Sequence, residues 1–185
     1  MPFNRKPQKF NASIKEVTIG CGENAVTLGG ENVFPFYTFD GDMKNAPKVG
    51  VEISDMGIPE VAGLKAYYEG CTTMGEIAKK ASEMEGADFV CLRLEGGDPN
   101  GANKSVEELV AIVKEVADAI DVPLAVEGSK NVEKDSELLT KVAEALQGKN
   151  ALILSAREEN YKAVGAAAGL AYGQKVGAES AVDIN

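Results

Sequence analysis

The stretch that most constrains this chain is residues 87–117, ADFVCLRLEGGDPNGANKSVEELVAIVKEVA. The short apolar run Phe89–Leu94 predicts a strand that is buried on both faces. A loop rich in glycine, aspartate and asparagine follows from Gly96. Ser105 and Glu108 then form the capping-box pattern at the start of an amphipathic helix. The stretch is therefore predicted to be one βα unit with a polar loop at the carboxyl end of its strand.

The same unit recurs along the chain. The predicted strands are 47–54, 89–94, 122–126, 151–154 and 175–178, and the predicted helices are 73–86, 105–117, 134–146 and 161–172. Such alternation is typical of parallel strands joined by helical crossovers. The sequence has neither a G-x-G-x-x-G loop after the first strand nor a Walker motif, so a nucleotide-binding doubly wound sheet has no specific support. We therefore expect an α/β fold, a parallel (β/α) TIM-type barrel that is incomplete at about five strands.

A separate segment, residues 1–44, precedes these units, and residues 45–185 are expected to form the first part of the barrel. Residues 1–12 are expected to form an arm that is irregular or loosely docked. Period-two alternation in Lys15–Gly20 and Ala25–Gly30 predicts a β-hairpin. The aromatic-rich stretch Asn32–Asp40 is expected to form a hydrophobic plug at the bottom of the core, with an aromatic ligand platform as the alternative.

The last predicted strand, 175–178, has no predicted strand after it to pair with. Parallel sheets are normally covered, and an incomplete barrel leaves an unpaired edge. We therefore expect that the chain is truncated after Asn185 or is completed by a partner.

Charge and composition exclude several classes of function. The net charge is −10, which argues against binding to nucleic acid or to an anionic membrane surface. The N-terminus lacks a secretory signal, and the apolar-rich run Ala163–Tyr172 is too short to span a bilayer, so we expect a cytoplasmic protein.

The chain has no histidine, and Cys21, Cys71 and Cys91 form no C-x-x-C pattern. Imidazole bases are therefore excluded, and a zinc or iron–sulfur site held by this chain alone is not expected. Cys91 is expected to lie in the core.

Polar side chains follow the predicted strands. Because the carboxyl ends of parallel strands meet at one edge of the sheet, these side chains are expected to lie together at that edge. The candidate binding residues are Asp98, Asn100, Asn103, Glu127, Ser129 and Ser155, with Asp55 and Asn160 beside them. No catalytic residue and no metal ligand are assigned.

Each candidate has a structural alternative. Asp98 and Asn103 could instead hydrogen-bond within their own loop as Asx turns. Glu127 is either a buried acid with a raised pKa, and hence a proton donor, or a partner of Lys130 or Lys134, and we favour the structural role. Other polar residues near these loops are expected to be structural or solvated: Asn131 as a helix cap, and Lys104 and Arg157 as surface charges.

The order of six segments resembles the small subunit of the corrinoid iron–sulfur protein, also called the delta subunit of the acetyl-CoA decarbonylase/synthase complex. The matching segments are GGENVFPFYTFDG (29–41), VGVEISDM (49–56), GADFVCLRLEGGDPNGANKS (86–105), VPLAVEGSKNVEKDSELL (122–139), GKNALILSAREENYKAVGAAA (148–168) and ESAVDIN (179–185). They cover nearly the whole chain in the family's order, which makes the resemblance specific. Members of the family continue past Asn185 through three more βα units, in agreement with the expected truncation.

The resemblance implies a complete (β/α) barrel that pairs with a large subunit. A corrinoid would lie between the subunits, at the carboxyl face of the barrel, and an iron–sulfur cluster would be held by the large subunit only. The cobalt would take a methyl group from a methyltetrahydropterin and pass it to acetyl-CoA synthase of the CO dehydrogenase complex. On this view the chain is a methyl-carrier subunit rather than a catalyst, and the candidate binding residues would contact the amides at the corrin's periphery.

Two other functions are compatible with the same residues. A pterin-binding TIM-barrel methyltransferase holds its pterin with Asp and Asn at strand ends, and the loop D-P-N-G-A-N at 98–103 fits that use. A scaffold subunit without cofactor contact is the other alternative. The first predicts that the chain alone binds tetrahydrofolate, and the second predicts a soluble chain only when it is co-expressed with its partner. The fold does not choose between them, since barrels host many chemistries.

Overall fold

The computed structural model describes residues 6, 9, 11–32 and 43–180. Its strands are β1 (Val17–Ile19), β2 (Val26–Leu28), β3 (Gly50–Ser54), β4 (Phe89–Arg93), β5 (Leu124–Glu127), β6 (Leu152–Ala156) and β7 (Lys175–Ala178). Its helices are α1 (Ala62–Tyr67), α2 (Met74–Ser82), α3 (Val106–Ala119), α4 (Val132–Ala145) and α5 (Tyr161–Val164), and α5 continues as wider π-type turns over Gly165–Ala171. The predicted aromatic plug at 32–40, apart from Asn32, and most of the predicted arm at 1–12 lie outside the described residues.

The strands β3 to β7 form one parallel sheet in chain order. In its register Ile53, Leu92, Val126 and Ile153 lie side by side. The strands β1 and β2 pair antiparallel as a hairpin. The predicted α/β fold, with a parallel sheet of five strands and a hairpin before it, is therefore confirmed. Within the described residues β3 and β7 are edge strands, and the sheet there is open rather than closed into a barrel.

One face of the sheet packs against α2, α3 and α4, and the core lies between these layers. The predicted apolar faces of the helices are confirmed as buried. The fully buried residues that α3 and α4 contribute are Leu109, Val113, Val116, Leu138, Leu139 and Val142. Complete burial of such a side chain stabilises the folded state by about 1.5–3 kcal/mol relative to an exposed position.

The strand β4 is buried on one face rather than on both. Val90 and Leu92 are fully buried, whereas Phe89, Cys91 and Arg93 are half-buried on the opposite face. The prediction of a strand buried on both faces is wrong, because the helices in the described part of the chain cover one side of the sheet. Cys91 therefore lies outside the fully buried core. Arg93 is the sequence signal for this arrangement, since a guanidinium is rarely buried without partners.

The capping box predicted at Ser105 and Glu108 is present. The sequence pattern Thr73-x-x-Glu76 predicts a second one at the start of α2, and it is also present. The Glu76 amide donates to Thr73 Oγ1 at 3.2 Å, and Glu76 Oε2 accepts from the Thr73 amide at 3.1 Å. Ser105 and Glu108 make the same two bonds, at 3.2 and 2.7 Å. These carboxyls have pKa values below the usual value, chiefly because backbone amides donate hydrogen bonds to them. The main donor is the Thr72 amide for Glu76 and the Ser105 amide for Glu108.

The end of one helix differs from the prediction. The helix α2 ends at Ser82, before the predicted helix end at Gly86, because the chain tightens there and the Met84 amide donates to the Ala81 carbonyl at 3.2 Å. Gly86 instead provides a positive φ of 83° in the turn that follows. For residues 58–72 the sequence predicts irregular or weakly helical structure, and the short helix α1 that forms there agrees with this.

The longest helices, α3 and α4, have 14 residues each. A bilayer span needs about 20 predominantly apolar residues. In the part of the chain that the structure describes, no helix has the length and apolar character to cross a membrane.

The hairpin is anchored by Asn150, which comes just before β6. Asn150 Nδ2 donates to the carbonyl oxygens of Thr18 at 3.0 Å and Gly20 at 2.9 Å, and the Gly20 amide donates to the Asn150 carbonyl at 2.8 Å. Gly20 has a φ of +77°, and a Cβ at this position would lie 2.5 Å from Pro123 Cγ, so only glycine fits. The hairpin therefore lies at the amino ends of the strands, opposite the loops that follow them.

Gln174 joins three elements from a buried position. Its side chain accepts a hydrogen bond from the Ala151 amide at 2.7 Å and donates to the Leu146 carbonyl at 2.8 Å. The residue is 3% exposed. These bonds connect the end of α4 to the segments that lead into β6 and β7.

We expect Gln174→Leu to lower the free energy of unfolding by about 1–3 kcal/mol, because it leaves the buried Ala151 amide without its acceptor. The Leu146 carbonyl keeps the hydrogen bond from the Lys149 amide at 2.9 Å. Urea unfolding followed by circular dichroism measures this change. Gln147→Leu makes the same substitution at an exposed position nearby and should change the free energy by about 0.5 kcal/mol or less. Equal losses in the two variants would contradict the role of the buried amide.

Candidate functional site

Three loops meet at the carboxyl edge of the sheet, after β3, β4 and β5. A Cβ at Gly96, in the loop after β4, would lie 2.2 Å from Asp55 Oδ2 in the loop after β3. A Cβ at Gly97 would lie 3.3 Å from the Cβ of Ser129 in the loop after β5. Glycine at both positions lets the backbone of the middle loop lie directly against its two neighbours.

The loop Gly96–Lys104 is organised by hydrogen bonds within itself. Asp98 Oδ1 accepts from the Asn100 amide at 2.9 Å, which is the Asx turn foreseen as an alternative role for Asp98. The Asp98 carbonyl accepts from the Asn103 amide at 3.1 Å. Asn103 Oδ1 does not bond to its own loop but accepts from Lys134 Nζ on α4 at 3.5 Å. Asn100 and Asn103 are both exposed, so their side-chain amides are accessible at this edge.

Asp55, predicted to lie beside the site, is buried beneath this loop with a side-chain exposure of 0%. Its Oδ1 accepts from the Gly96 amide at 2.8 Å, and its Oδ2 accepts from Lys104 Nζ at 2.9 Å. The prediction that Lys104 is a surface charge is therefore wrong. A fully buried carboxylate needs a compensating cation, and Lys104 provides it.

Ser129 is also buried, and its polar atoms bond inside the protein. Its amide and its hydroxyl each donate to Asp135 Oδ1 at 2.7 Å, and the Lys130 amide donates to Asp135 Oδ2 at 2.9 Å. Sequence reasoning missed Asp135, although an acidic residue in the first turn of a helix is a recognisable signal. Asn131 is confirmed as the cap of α4, because its Oδ1 accepts from the Lys134 amide at 3.0 Å.

Glu127 belongs to a charged cluster centred on Arg93, on the sheet face opposite the helices. The Arg93 guanidinium lies 2.9 Å from Glu52, 3.3 Å from Glu95 and 3.4 Å from Glu127. The hydrogen bond to Glu52 favours the charged guanidinium and raises the pKa of Arg93. Glu127 also pairs with Lys130 at 3.3 Å, which confirms its predicted structural role. Sequence reasoning missed the cluster, because Arg93 lies within an apolar run.

Cys91 lies on the same face as this cluster, paired in register with Glu52 and Ala125. Burial, with smaller contributions from the carboxylates of Glu127 and Glu52, raises the pKa of the Cys91 thiol to about 11. Such a thiol is almost wholly protonated at neutral pH. It is therefore a poor nucleophile and a poor metal ligand.

Ser155 and Asn160 lie at the end of β6. Ser155 is half-buried, and its hydroxyl makes no hydrogen bond with a residue that the structure describes. Asn160 is 3% exposed, and its Oδ1 accepts from the Arg157 amide at 2.8 Å. Arg157, predicted to be a surface charge, pairs with Glu179 at 3.3 Å beside a cavity of about 670 Å³ that Tyr161 also lines.

The candidate residues with polar atoms accessible at this edge are Asp98, Asn100, Asn103 and Ser155. They offer carboxylate, amide and hydroxyl groups, which together both donate and accept hydrogen bonds. Such a set suits a ligand with amides at its own periphery. Among the described residues, no group of three or more cysteine, aspartate and glutamate side chains is placed to hold a metal ion.

We expect Cys91 to react slowly with iodoacetamide. A chain with Cys21→Ser and Cys71→Ser retains Cys91 alone, and a chain with Cys71→Ser and Cys91→Ser retains the exposed Cys21. At about pH 8 the rate constant of Cys91 should be on the order of 100-fold lower, because only the thiolate reacts. Glu127→Gln removes a carboxylate that raises the pKa of Cys91, so it should increase the rate. Equal rates for Cys91 and Cys21 would contradict the raised pKa.

Comparison with known proteins identifies relatives. The chain is 35% identical to the acetyl-CoA decarbonylase/synthase complex subunit delta 1 of Methanosarcina thermophila, over 96% of this chain and 42% of that protein. It is 37% identical to subunit delta 2 of that complex from Methanosarcina acetivorans, over 97% and 44%. It is 32% identical to subunit delta from Archaeoglobus fulgidus, over 83% and 36%. The chain therefore spans less than half the length of these curated relatives.

A family model matches the chain over residues 16–185, which include the hairpin, all five strands of the parallel sheet and the loops at its carboxyl edge. The family is described as the CO dehydrogenase/acetyl-CoA synthase delta subunit. This agrees with the resemblance carried by the six sequence segments. The chain belongs to the CO dehydrogenase/acetyl-CoA synthase delta subunit family.

Proposed function

We propose that this chain serves as the small, delta-type subunit of a corrinoid iron–sulfur protein in the acetyl-CoA pathway. The observation that supports this most strongly is the family match over residues 16–185. The relatives are named as subunits of acetyl-CoA decarbonylase/synthase complexes. In this proposal the partners of the chain are a large subunit, with which it forms a heterodimer, a methyltransferase, and acetyl-CoA synthase/CO dehydrogenase.

The proposed cofactor is a corrinoid shared between this chain and the large subunit, and the iron–sulfur cluster belongs to the large subunit only. When bound, the corrinoid supplies a cobalt that carries a methyl group from methyltetrahydropterin to acetyl-CoA synthase. The residues of this chain bind and orient the corrin's periphery and exclude water from it. The chain has no histidine, so it offers no imidazole ligand to cobalt.

The accessible groups at the carboxyl edge fit such a ligand. Corrin side chains end in amides, which both donate and accept hydrogen bonds. Asp98, Asn100 and Asn103 provide matching groups from one loop, and Ser155 adds a hydroxyl from the end of β6. We assign direct contacts with the corrin's periphery to these four residues.

Ser129 and Glu127 have a different place in the proposal. The hydroxyl of Ser129 is committed to Asp135, and Glu127 is committed to Arg93 and Lys130. We therefore assign them to the binding edge as residues that maintain its shape.

The proposal includes a larger architecture. The parallel strands follow one another in chain order, with helices on one face, as in the first part of a (β/α) TIM-type barrel. We propose that residues 45–185 form this first part, and that residues 1–44 form an accessory segment with the hairpin at the amino ends of the strands. The hydrogen bonds of Asn150 support that placement of the hairpin.

The visible absorption spectrum of anaerobically purified protein tests the function. The chain is measured alone and then together with its candidate large subunit. Corrinoid bands that appear only in the complex, and that shift when methyltetrahydropterin and methyltransferase are added, would support the proposal. A complex without corrinoid, combined with tetrahydrofolate binding by the chain alone, would replace it with a pterin-binding methyltransferase. A complex that binds neither ligand would indicate a scaffold subunit.

We expect Asn100→Ala to weaken corrinoid binding by the complex about 2- to 10-fold, because it removes one exposed amide from the loop after β4. Titration of the apo complex with corrinoid, followed by visible absorption, measures the dissociation constant. Gln147→Ala removes an exposed amide near the amino ends of the strands and should leave that constant unchanged. Unchanged binding in both variants would remove Asn100 from the proposed contacts.

A further inference from the structure

A single buried carboxylate joins the two ends of the loop Gly96–Lys104. Asp55 Oδ1 accepts from the amide of Gly96, the first residue of the loop, at 2.8 Å. Asp55 Oδ2 accepts from Nζ of Lys104, the last residue of the loop, at 2.9 Å. The Lys104 amide also donates to the Gly96 carbonyl at 2.8 Å. The loop is therefore closed at its base by this backbone hydrogen bond and by Asp55, which follows the neighbouring strand β3.

Burial makes this closure depend on charge. The Asp55 side chain is 0% exposed and that of Lys104 is 27% exposed. A carboxylate away from water is unfavourable unless a cation and hydrogen-bond donors surround it. Among the described residues, Lys104 is the one cation within ion-pairing distance of Asp55, and the Gly96 amide is the other donor to its carboxylate. Displacement of Lys104 would leave a buried anion with one donor, which opposes opening of the loop.

Close packing leaves the base of the loop little freedom. A Cβ at Gly96 would lie 2.2 Å from Asp55 Oδ2, 2.9 Å from Lys104 Cδ and 2.9 Å from Met56 Sδ. From this base the chain continues into the Asx turn of Asp98, whose carbonyl binds the Asn103 amide. The position of the exposed amides in the loop therefore follows from the base.

We propose that Asp55 and Lys104 are positioning residues that hold Asp98, Asn100 and Asn103 in the arrangement that binds the amide-bearing periphery of the cofactor. This inference rests on the proposed function, because it assigns to the same site the pair that shapes its loop. Asp55 itself is buried, and the Lys104 ammonium bonds to both the carboxylate and the carbonyl of Asp55. Neither residue contacts the ligand, and both act through the loop.

Lys104→Met tests the pair, because methionine keeps much of the apolar stem and removes the charge. In the complex of the chain with its large subunit, we expect the corrinoid dissociation constant to rise about tenfold. Hydrogen exchange at the Asn103 amide, which bonds within the loop, should become faster. Lys104→Arg restores a cation and should return the dissociation constant to within about twofold of the wild-type value.

Lys141→Met is the matched control. It breaks an exposed ion pair with Glu144 at 3.0 Å on α4, away from the loop. It should change neither corrinoid binding nor exchange at the Asn103 amide. If Lys104→Met alone does not fold, the double variant Asp55→Asn/Lys104→Met removes both charges together and leaves no unpaired buried ion. The same tenfold weakening is then expected.

The outcomes separate this inference from the proposed function. Faster exchange in Lys104→Met with wild-type corrinoid affinity would show that the pair is structural only, and would overturn the inference while the function stands. Wild-type exchange at the Asn103 amide would overturn it as well, because the loop would then not depend on the pair. Absence of corrinoid from the wild-type complex would overturn the proposed function and this inference with it.

Discussion

One row of buried apolar side chains, which runs across the sheet from strand to strand, fixes the register of the strands and hence where they end. Ile53, Leu92, Val126 and Ile153 lie side by side across four strands, beneath the helices. Because side chains alternate along a strand, a shift by one residue would turn a member of this row out of the core. Strands held in a common register also end close together. The polar loops therefore meet at one edge as a result of apolar packing below them.

Two buried carboxylates extend this order from the strands into the loops. Asp55 binds the amide of Gly96, and Asp135 binds the amides of Ser129 and Lys130. A buried anion without donors is costly, so each loop is stabilised in the conformation that brings its amides to the carboxylate. The flexible-looking composition of these loops, rich in glycine and asparagine, thus coexists with a defined backbone.

Local patterns were sufficient to predict the elements, but contacts between loops were not predictable from them. The capping box at Ser105 involves residues three positions apart, and hydrophobic periodicity within each segment distinguishes helix from strand. The bond between Asp55 and Lys104 joins residues 49 positions apart, and neither residue has neighbours in sequence that indicate the other. Arg93 illustrates the same limit, because an apolar run predicts burial on both faces whereas its partners come from two other strands and a loop. The position of the candidate edge was therefore predictable, as were some bonds within single loops, but the bonds between different loops were not.

The charged cluster around Arg93 gives the two faces of the sheet opposite responses to ionic strength. On the helix side the strands are held by apolar burial, which excluded salts such as sulfate strengthen. On the other side the half-exposed Arg93 joins β3 and β5 to β4 through Glu52 and Glu127, and added salt screens such ion pairs. As the salt concentration rises, the ion pairs on the charged face therefore contribute less to the stability of the sheet, and apolar burial on the helix side contributes more.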